Sequence, residues 1–235
     1  MQDEKKFRRI QINDDEEWHR VRRTHLQASE AAAVLGISPW QNPCGLYDIK
    51  VGAVKEPDIG SKPYVQYGKA MEEHLRAMFA LDLPYFKVEY HQYDILESIE
   101  RPWQGCTLDA ELTVVKDNPW DLRLGEKGIY EAKTGSFRGW RQLQEWEGQI
   151  PDHYYGQVIH QLSVTGWGFT IVDGRLLREP FKEEDLGFPE IQVRRRLIKV
   201  DDKVREDIDA LNEAETRFWE DHVMKKRRPP LRVTL

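Results

Sequence analysis

The sequence predicts one α/β (α+β) domain over residues 1–235, with a central mixed sheet flanked by helices. Three observations point there. Apolar positions show helical spacing up to about residue 81. Residues 85–133 shift to strand-like alternation. Helical spacing then returns at about 152–165 and 201–226, around two further strand signals. The length supports a substantial core, so no covalent staples are needed. Hydrophobic content of 40% and charged content of 32% fit a water-soluble fold. Cys44 and Cys106 are too few for a disulfide framework, a zinc site or a four-cysteine cluster, and a reducing cytoplasm is the expected setting. The polar stretch Met1–Lys6 leads into no apolar signal region, and no apolar run reaches the roughly 20 residues that span a bilayer. No membrane partner is therefore expected.

The elements follow in order. Asn13-Asp14-Asp15-Glu16-Glu17 reads as a capped helix start with acids in the first turn. Ser29–Leu35 reads as a short helix with Ser29 near the N-cap and Gly36 at the C-terminal turn. Ile37–Trp40 turns, and Gly45–Lys50 is helical. Pro57, Gly60 and Pro63 mark a loop. A helix from about Tyr64 to Leu81 carries the stripe Gly68, Met71, Leu75, Met78 and Phe79, with Glu72 beside it. Leu108, Ala110, Leu112 and Val114 alternate with Thr107, Asp109, Glu111 and Thr113, as in a half-buried strand. Turns at Asp117-Asn118-Pro119 and Gly125–Gly128 precede a strand ending at Lys133. Pro151 opens a helix over about Asp152–Thr165, with Tyr155, Val158, Ile159 and Leu162 on one face. Residues 169–172 and 191–200 read as strands. The last helix repeats Val204, Ile208, Leu211, Phe218 and Trp219, and Pro229-Pro230 ends it.

The chemistry centres on Glu131-Ala132-Lys133. In a strand, Glu131 and Lys133 project from one side, roughly 7 Å apart at about 3.3 Å per residue. A carboxylate beside an ammonium, with Asp109 near, is equipment for holding a divalent metal and orienting a water against a phosphodiester. An exposed E-x-K pair is also a common solvated ion pair, so the rest of the chain matters. The net charge of −6 argues against a polyanion binder held by bulk charge. It leaves room for local basic surfaces at Arg20/Arg22/Arg23, Arg138/Arg141, Arg194–Arg196 and Lys225–Arg228, each of which otherwise reads as a solvated face.

Four segments in order carry a family resemblance: Trp18-x3-Arg22-x6-Ser29-Glu30; Gly68-x3-Glu72; Leu108-Asp109-Ala110 with Glu131-Ala132-Lys133; and Tyr154-x2-Gln157-x3-Gln161. Together with Ala28–Trp40 and Ile150–Gly166 they resemble the lambda-exonuclease or YqaJ-type viral recombinase family, within the PD-(D/E)xK nuclease fold. The resemblance covers about residues 18–172, with the strand and helix at about 191–226 packed on that core. It implies a Mg²⁺-dependent 5′-to-3′ exonuclease of phage recombination that degrades one strand of linear duplex DNA. The expected setting is the cytoplasm, that of the bacterial host for a phage protein. It implies two metal ions, with Mn²⁺ an acceptable substitute. It also implies a ring-shaped homo-oligomer, often a trimer, and a single-strand annealing protein as partner.

Residue by residue, the resemblance makes Asp109 and Glu131 metal-binding acids, the Ala132 carbonyl a third ligand and Glu72 a helix acid of the same site. Lys133 orients or activates the attacking water and counters phosphate charge. Gln157 holds a metal-bound water or a backbone phosphate, or is simply a polar helix face. Arg22 and Ser29 match a pocket for a terminal 5′ phosphate, against the plainer reading of a surface arginine and an N-cap. Tyr154 and Gln161 join the DNA-binding set. Glu73 competes with Glu72, and Glu111 with Asp109. His160 reads as a surface or packing histidine, and Trp18 and Trp40 as core residues rather than base-stacking platforms. Two departures stand out: Thr107-Leu108-Asp109 lacks the proline usual before the first acid, and the interval to Glu131 is long. The rival functions are an endonuclease of the same fold and a catalytically silent DNA-binding or scaffold protein.

Overall fold

The computed structural model describes residues 5–179 and 190–230. Its centre is a five-stranded mixed sheet in the order β3-β6-β7-β8-β9. The strands are β3 (Phe86–Glu89), β6 (Ala110–Val114), β7 (Lys127–Phe137), β8 (Phe169–Arg178) and β9 (Ile191–Lys199). Among the described strands of this sheet only β7 and β8 run parallel, and their register sets Glu131 opposite Val172 and Lys133 opposite Gly174. Parallel neighbours need a long crossover, which two helices supply: α5 (Trp140–Gln144) and α6 (Asp152–Thr165). A second, four-stranded sheet has the order β1-β4-β5-β2, from Phe7–Gln11, Asp94–Ser98, Gln104–Cys106 and Leu26–Gln27. The sequence pattern predicts one central sheet. β2 and β5 are two and three residues long, too short for any period-2 signal. Arg9 of β1 bridges the sheets, pairing with Asp94 of β4 and Glu111 of β6.

Alternation along β7 divides the interior. Ile129 joins Val158, Ile159 and Leu162 of α6 and Leu211 of α7 (Asp202–Thr216) in one cluster. Tyr130 packs on the opposite side with Phe79 of α4 (Pro63–Asp82), Phe86 and Phe169. Helices on the two faces thus reach the same strand at consecutive residues. α4 buries Leu75 and Phe79, but Met78 of the expected stripe is 44% exposed. Gly68 stands where α4 closes on β7: a Cβ there would come within 3.2 Å of Thr134 Oγ1. That close approach carries Glu72, one turn on, toward the strand.

The helix ends follow their sequence signals. Asp14 caps α1 (Asp15–Arg23) by accepting from Glu17 N at 2.8 Å, and Gly36 ends α2 (Ala31–Leu35) at φ +75°. α3 spans Pro43–Lys50. α7 runs into a π-helical segment, Arg217–Val223, where Trp219 stacks on Trp103 at 5.6 Å, so the last helix stops short of Lys226. Several basic residues are neutralised in place: Arg228 by Asp48, Lys225 by Asp221, and Arg195 by Asp82 and Asp173. Among the described residues no helix is long and apolar enough to cross a membrane.

Candidate active site

β6 pairs with β7 only as far as Ala110 opposite Tyr130. Beyond that point β7 continues, leaving an open edge at Ala132. Asp109 lies in the bend just before β6 and not inside the strand, as the alternation had suggested. Its Oδ2 accepts the Ala132 N–H at 2.8 Å and so covers that edge. In an extended strand the N–H and C=O of one residue point to the same side, so the Ala132 carbonyl faces the same opening. Glu111, the rival acid, is committed to Arg9 and takes no part here.

Glu131 is buried, 2% exposed, and three donors converge on it. Lys133 Nζ and Gln157 Nε2 both reach Oε1 at 2.6 Å, and Gln161 Nε2 reaches Oε2 at 2.6 Å. Lys133 also donates to Gln157 Oε1 at 2.9 Å and lies 4.9 Å from the Tyr154 ring centroid. The structure therefore brings Glu131, Lys133, Gln157, Gln161 and Tyr154 into one network. Gln161 departs from its expected role as a DNA contact. It is fully buried, and it props Glu131 from inside the fold. Its placement follows from α6 being enclosed on nearly every side, so even its polar face meets protein. His160 on the same helix is a packing residue, held by Glu215 at 2.8 Å and the Gly105 carbonyl at 3.0 Å.

Charge is unbalanced in this cleft. Burial lifts the Asp109 carboxyl well above the usual range, and repulsion from Glu131 and Glu72 adds to it against Lys133. Glu72 is also lifted, by burial first, with Arg76 opposing and Glu131 reinforcing. For Lys133, burial pushes down, but attraction to Glu131 and Asp109 prevails and holds it above its ordinary value. It stays a cation, suited to charge compensation and hydrogen bonding rather than to proton abstraction. Three acids facing Lys133 and the more distant Arg76 leave an excess of negative charge in the cleft that a divalent cation would balance. The donor set of Glu72, Asp109, Glu131 and the Ala132 carbonyl is all oxygen, the kind a hard Mg²⁺ takes. Among the described residues no three acid, histidine or cysteine side chains stand close enough to chelate an ion as they are. Both Glu131 oxygens are engaged by donors, so an ion at Oε1 would have to displace Lys133 or Gln157 while Gln161 keeps its hold on Oε2.

Two neighbours of the site, Arg76 and Tyr90, are not among the candidates the sequence offers. Arg76 donates to the Asp109 carbonyl at 3.3 Å, and its guanidinium lies 3.9 Å from the Tyr90 ring centroid. Arg76 falls one helical turn after Glu72, and that i,i+4 spacing was a usable signal. Tyr90 carried none.

Arg22 and Ser29 form a separate pair, with Arg22 Nη2 donating to Ser29 Oγ at 3.1 Å. Ser29 is not the expected N-cap. It sits in a single 3-10 turn, Ala28–Glu30, where Glu30 accepts from the Gln27 backbone N–H instead. Arg22 lies against Trp18 at 5.3 Å, and its buried Nε lacks a partner. Among the described residues no hydrogen bond links this pair to Glu131, but its segment packs beside α6. A Cβ at Gly156 would lie 3.5 Å from the Ala32 backbone nitrogen.

A mixed sheet whose edge opens onto an acid–lysine network, with an arginine–serine pair alongside, defines the class. The chain belongs to the YqaJ-like viral recombinase domain family, whose model matches residues 17–168. It is 27% identical over 217 residues to the uncharacterized protein YqaJ of Bacillus subtilis (strain 168), covering 92% of this chain but only 59% of that protein. In structure it is similar to LHK-Exo in complex with dAMP, with TM-score 0.60 and 17% identity over 91% of this chain and 97% of the other. LHK-Exo is an alkaline exonuclease from Laribacter hongkongensis. A phage related exonuclease from Haemophilus somnus 129PT matches at TM-score 0.51 and 12% identity, over 86% and 96%. At these identities the likeness shows a shared fold.

Proposed function

We propose that the chain acts as one nuclease domain, a Mg²⁺-dependent exonuclease that degrades one strand of linear duplex DNA from its 5′ end. The observation that carries this reading is the convergence of Glu131, Lys133, Gln157 and Asp109 at the open edge of β7, with Glu72 and its charge imbalance opposite. Family membership and the two exonuclease-like folds support it. The dAMP held by LHK-Exo is a nucleotide of the size such a reaction releases.

Glu72, Asp109, Glu131 and the Ala132 carbonyl would hold the metal. A bound Mg²⁺, or Mn²⁺ in its place, supplies Lewis-acid polarisation of the phosphoryl oxygens and a more acidic water, and a second ion would steady the leaving oxygen. The chain's own groups do the rest. Lys133 has one N–H beyond those given to Glu131 and Gln157, free for the phosphate or the attacking water. Gln157, once released from Glu131, can hold that water by its carbonyl. Tyr154 walls the ammonium from solvent and strengthens its field. Arg22 and Ser29 offer a guanidinium fork and a hydroxyl to a terminal 5′ phosphate, and the unpartnered Arg22 Nε is the donor such an anion would satisfy. By family resemblance, the working form is read as a trimeric ring beside a single-strand annealing protein.

The test is DNA loss from linear duplexes bearing 5′ phosphate or 5′ hydroxyl, and from a closed circle of the same sequence, in Mg²⁺ and in EDTA. The reading expects only linear DNA to disappear, only with Mg²⁺, and faster with the phosphate. Cutting of the circle would replace it with an endonuclease.

A further inference from the structure

Trp40 is the expected core residue that the structure places outside: it is 75% exposed. Isolated surface tryptophans are common and need no explanation. This one differs in its mounting and in where it leads. Its backbone is fixed by a tight turn, with the Ser38 hydroxyl accepting from both Trp40 N and Gln41 N at 3.3 Å, and Pro39 limiting the chain between them. Its ring meets His153 at 4.9 Å and 87°, an edge contact. His153 lies 4.1 Å from Tyr154, and Tyr154 lies 4.9 Å from Lys133 Nζ. A row of three rings therefore runs from solvent to the catalytic lysine. Burial and the nearby Lys133 keep His153 below its ordinary pKa, so the middle ring is uncharged at neutral pH. The contact with His153 is T-shaped rather than stacked, and at 75% exposure the indole keeps open ring surface.

We propose that Trp40 is a stacking platform for one base of the strand being cut, within a few nucleotides of the phosphate at Lys133. The inference rests on the nuclease reading and deepens it by assigning a specificity-neutral base contact. Two features favour a nucleobase over a protein side chain as occupant. The row ends at a cation placed for a phosphate, and an open indole face with a charge at one end of the row matches a nucleotide's base and backbone. Stacking of this kind tolerates any base, since every base has a π-face.

The test uses the full chain, Trp40→Ala and Trp40→Phe, with Ca²⁺ replacing Mg²⁺ so that binding is read without turnover. The probes are linear duplexes of one sequence, intact or carrying a single abasic site at successive positions from the 5′ end. For the parent, affinity should drop at one position or two adjacent ones, by roughly 5- to 150-fold. Trp40→Ala should bind the intact duplex more weakly by a similar factor and show no positional drop, and Trp40→Phe should recover most of both. Trp40→Ala binding like the parent, or keeping the positional drop, would overturn the assignment. A loss for Trp40→Ala that Phe does not recover would also count against it. Parent cleavage of the intact duplex in Mg²⁺ is scored alongside. Parent cleavage with an indifferent Trp40→Ala removes the platform alone, whereas a parent that neither binds nor cuts removes the platform and the nuclease reading together.

Discussion

Gln161→Leu separates support of the proposed metal site from contact with DNA. Gln161 is fully buried, and its Nε2 donates to Glu131 Oε2 at 2.6 Å. Leucine is close in size and has no donor. Losing a hydrogen bond to a buried charged group costs about 1.5–3 kcal/mol. Gln161 Oε1 has no partner, so the substitution also removes a buried orphan and places the net cost near the lower end, about 1.5 kcal/mol. In a chain of this length each kcal/mol moves the melting temperature by about 2–4 °C, giving a fall of about 3–6 °C in EDTA. Glu131 also loses one of its three anchors. The half-saturating Mg²⁺ concentration should therefore rise about 10- to 100-fold, the usual range for a group that orients a metal ligand. The rate at saturating Mg²⁺ should change little, because Gln161 reaches no solvent and hence no DNA. Thermal melts in EDTA and cleavage of linear duplex across a Mg²⁺ series read the two effects. A parent-like melting temperature together with a parent-like Mg²⁺ curve would refute the claim that Gln161 holds Glu131.

Three other outcomes follow from the same geometry. Asp109 has a folded pKa raised by burial and by Glu131 and Glu72, so its neutral form favours the fold. That stability is present below the unfolded value of about 4 and is lost as pH rises through the raised folded value. In EDTA at pH 8, Asp109→Asn should melt above the parent while losing cleavage, with the gap closing toward pH 4; equal or lower melting at pH 8 would contradict the charge imbalance. Arg76→Ala removes the leading cation among those that oppose burial at Glu72. Cleavage should fall about tenfold, with the acidic limb of the pH–rate profile moving to higher pH, and an unmoved limb would show that Arg76 does not act through Glu72. Arg22→Ala should reduce the preference for 5′-phosphorylated over hydroxyl ends by roughly 10- to 100-fold in relative rate, and unchanged discrimination would remove the pocket.

Much of the candidate site was readable where it depended on a local period. Strand alternation put Glu131 and Lys133 on one face, and their side chains meet at 2.6 Å. The spacing Gly68-x3-Glu72 placed a small residue where α4 closes on β7 and the acid one turn on. The matched span, residues 17–168, nearly coincides with the span of the motifs. What escaped depended on tertiary partners. No pattern in the sequence tells where a strand begins, yet the late start of β6 at Ala110 is what frees Ala132 and puts Asp109 in a bend. The polar face of α6 looks solvent-facing in a helical period, but α7 and the sheet enclose it, so Gln161 and His160 became interior. Trp40 reads in sequence as a core residue, whereas a Ser-Pro turn holds it outward. The second sheet rests on strands too short to show alternation.

The central claim is that Lys133 serves a nuclease site and not merely the fold. The most direct measurement is cleavage and binding of the same linear duplex by the purified parent and by Lys133→Ala, in Mg²⁺ and in EDTA. The account predicts Mg²⁺-dependent degradation by the parent, no degradation by Lys133→Ala, and closely similar DNA affinity for both. Near-normal degradation by Lys133→Ala would contradict it.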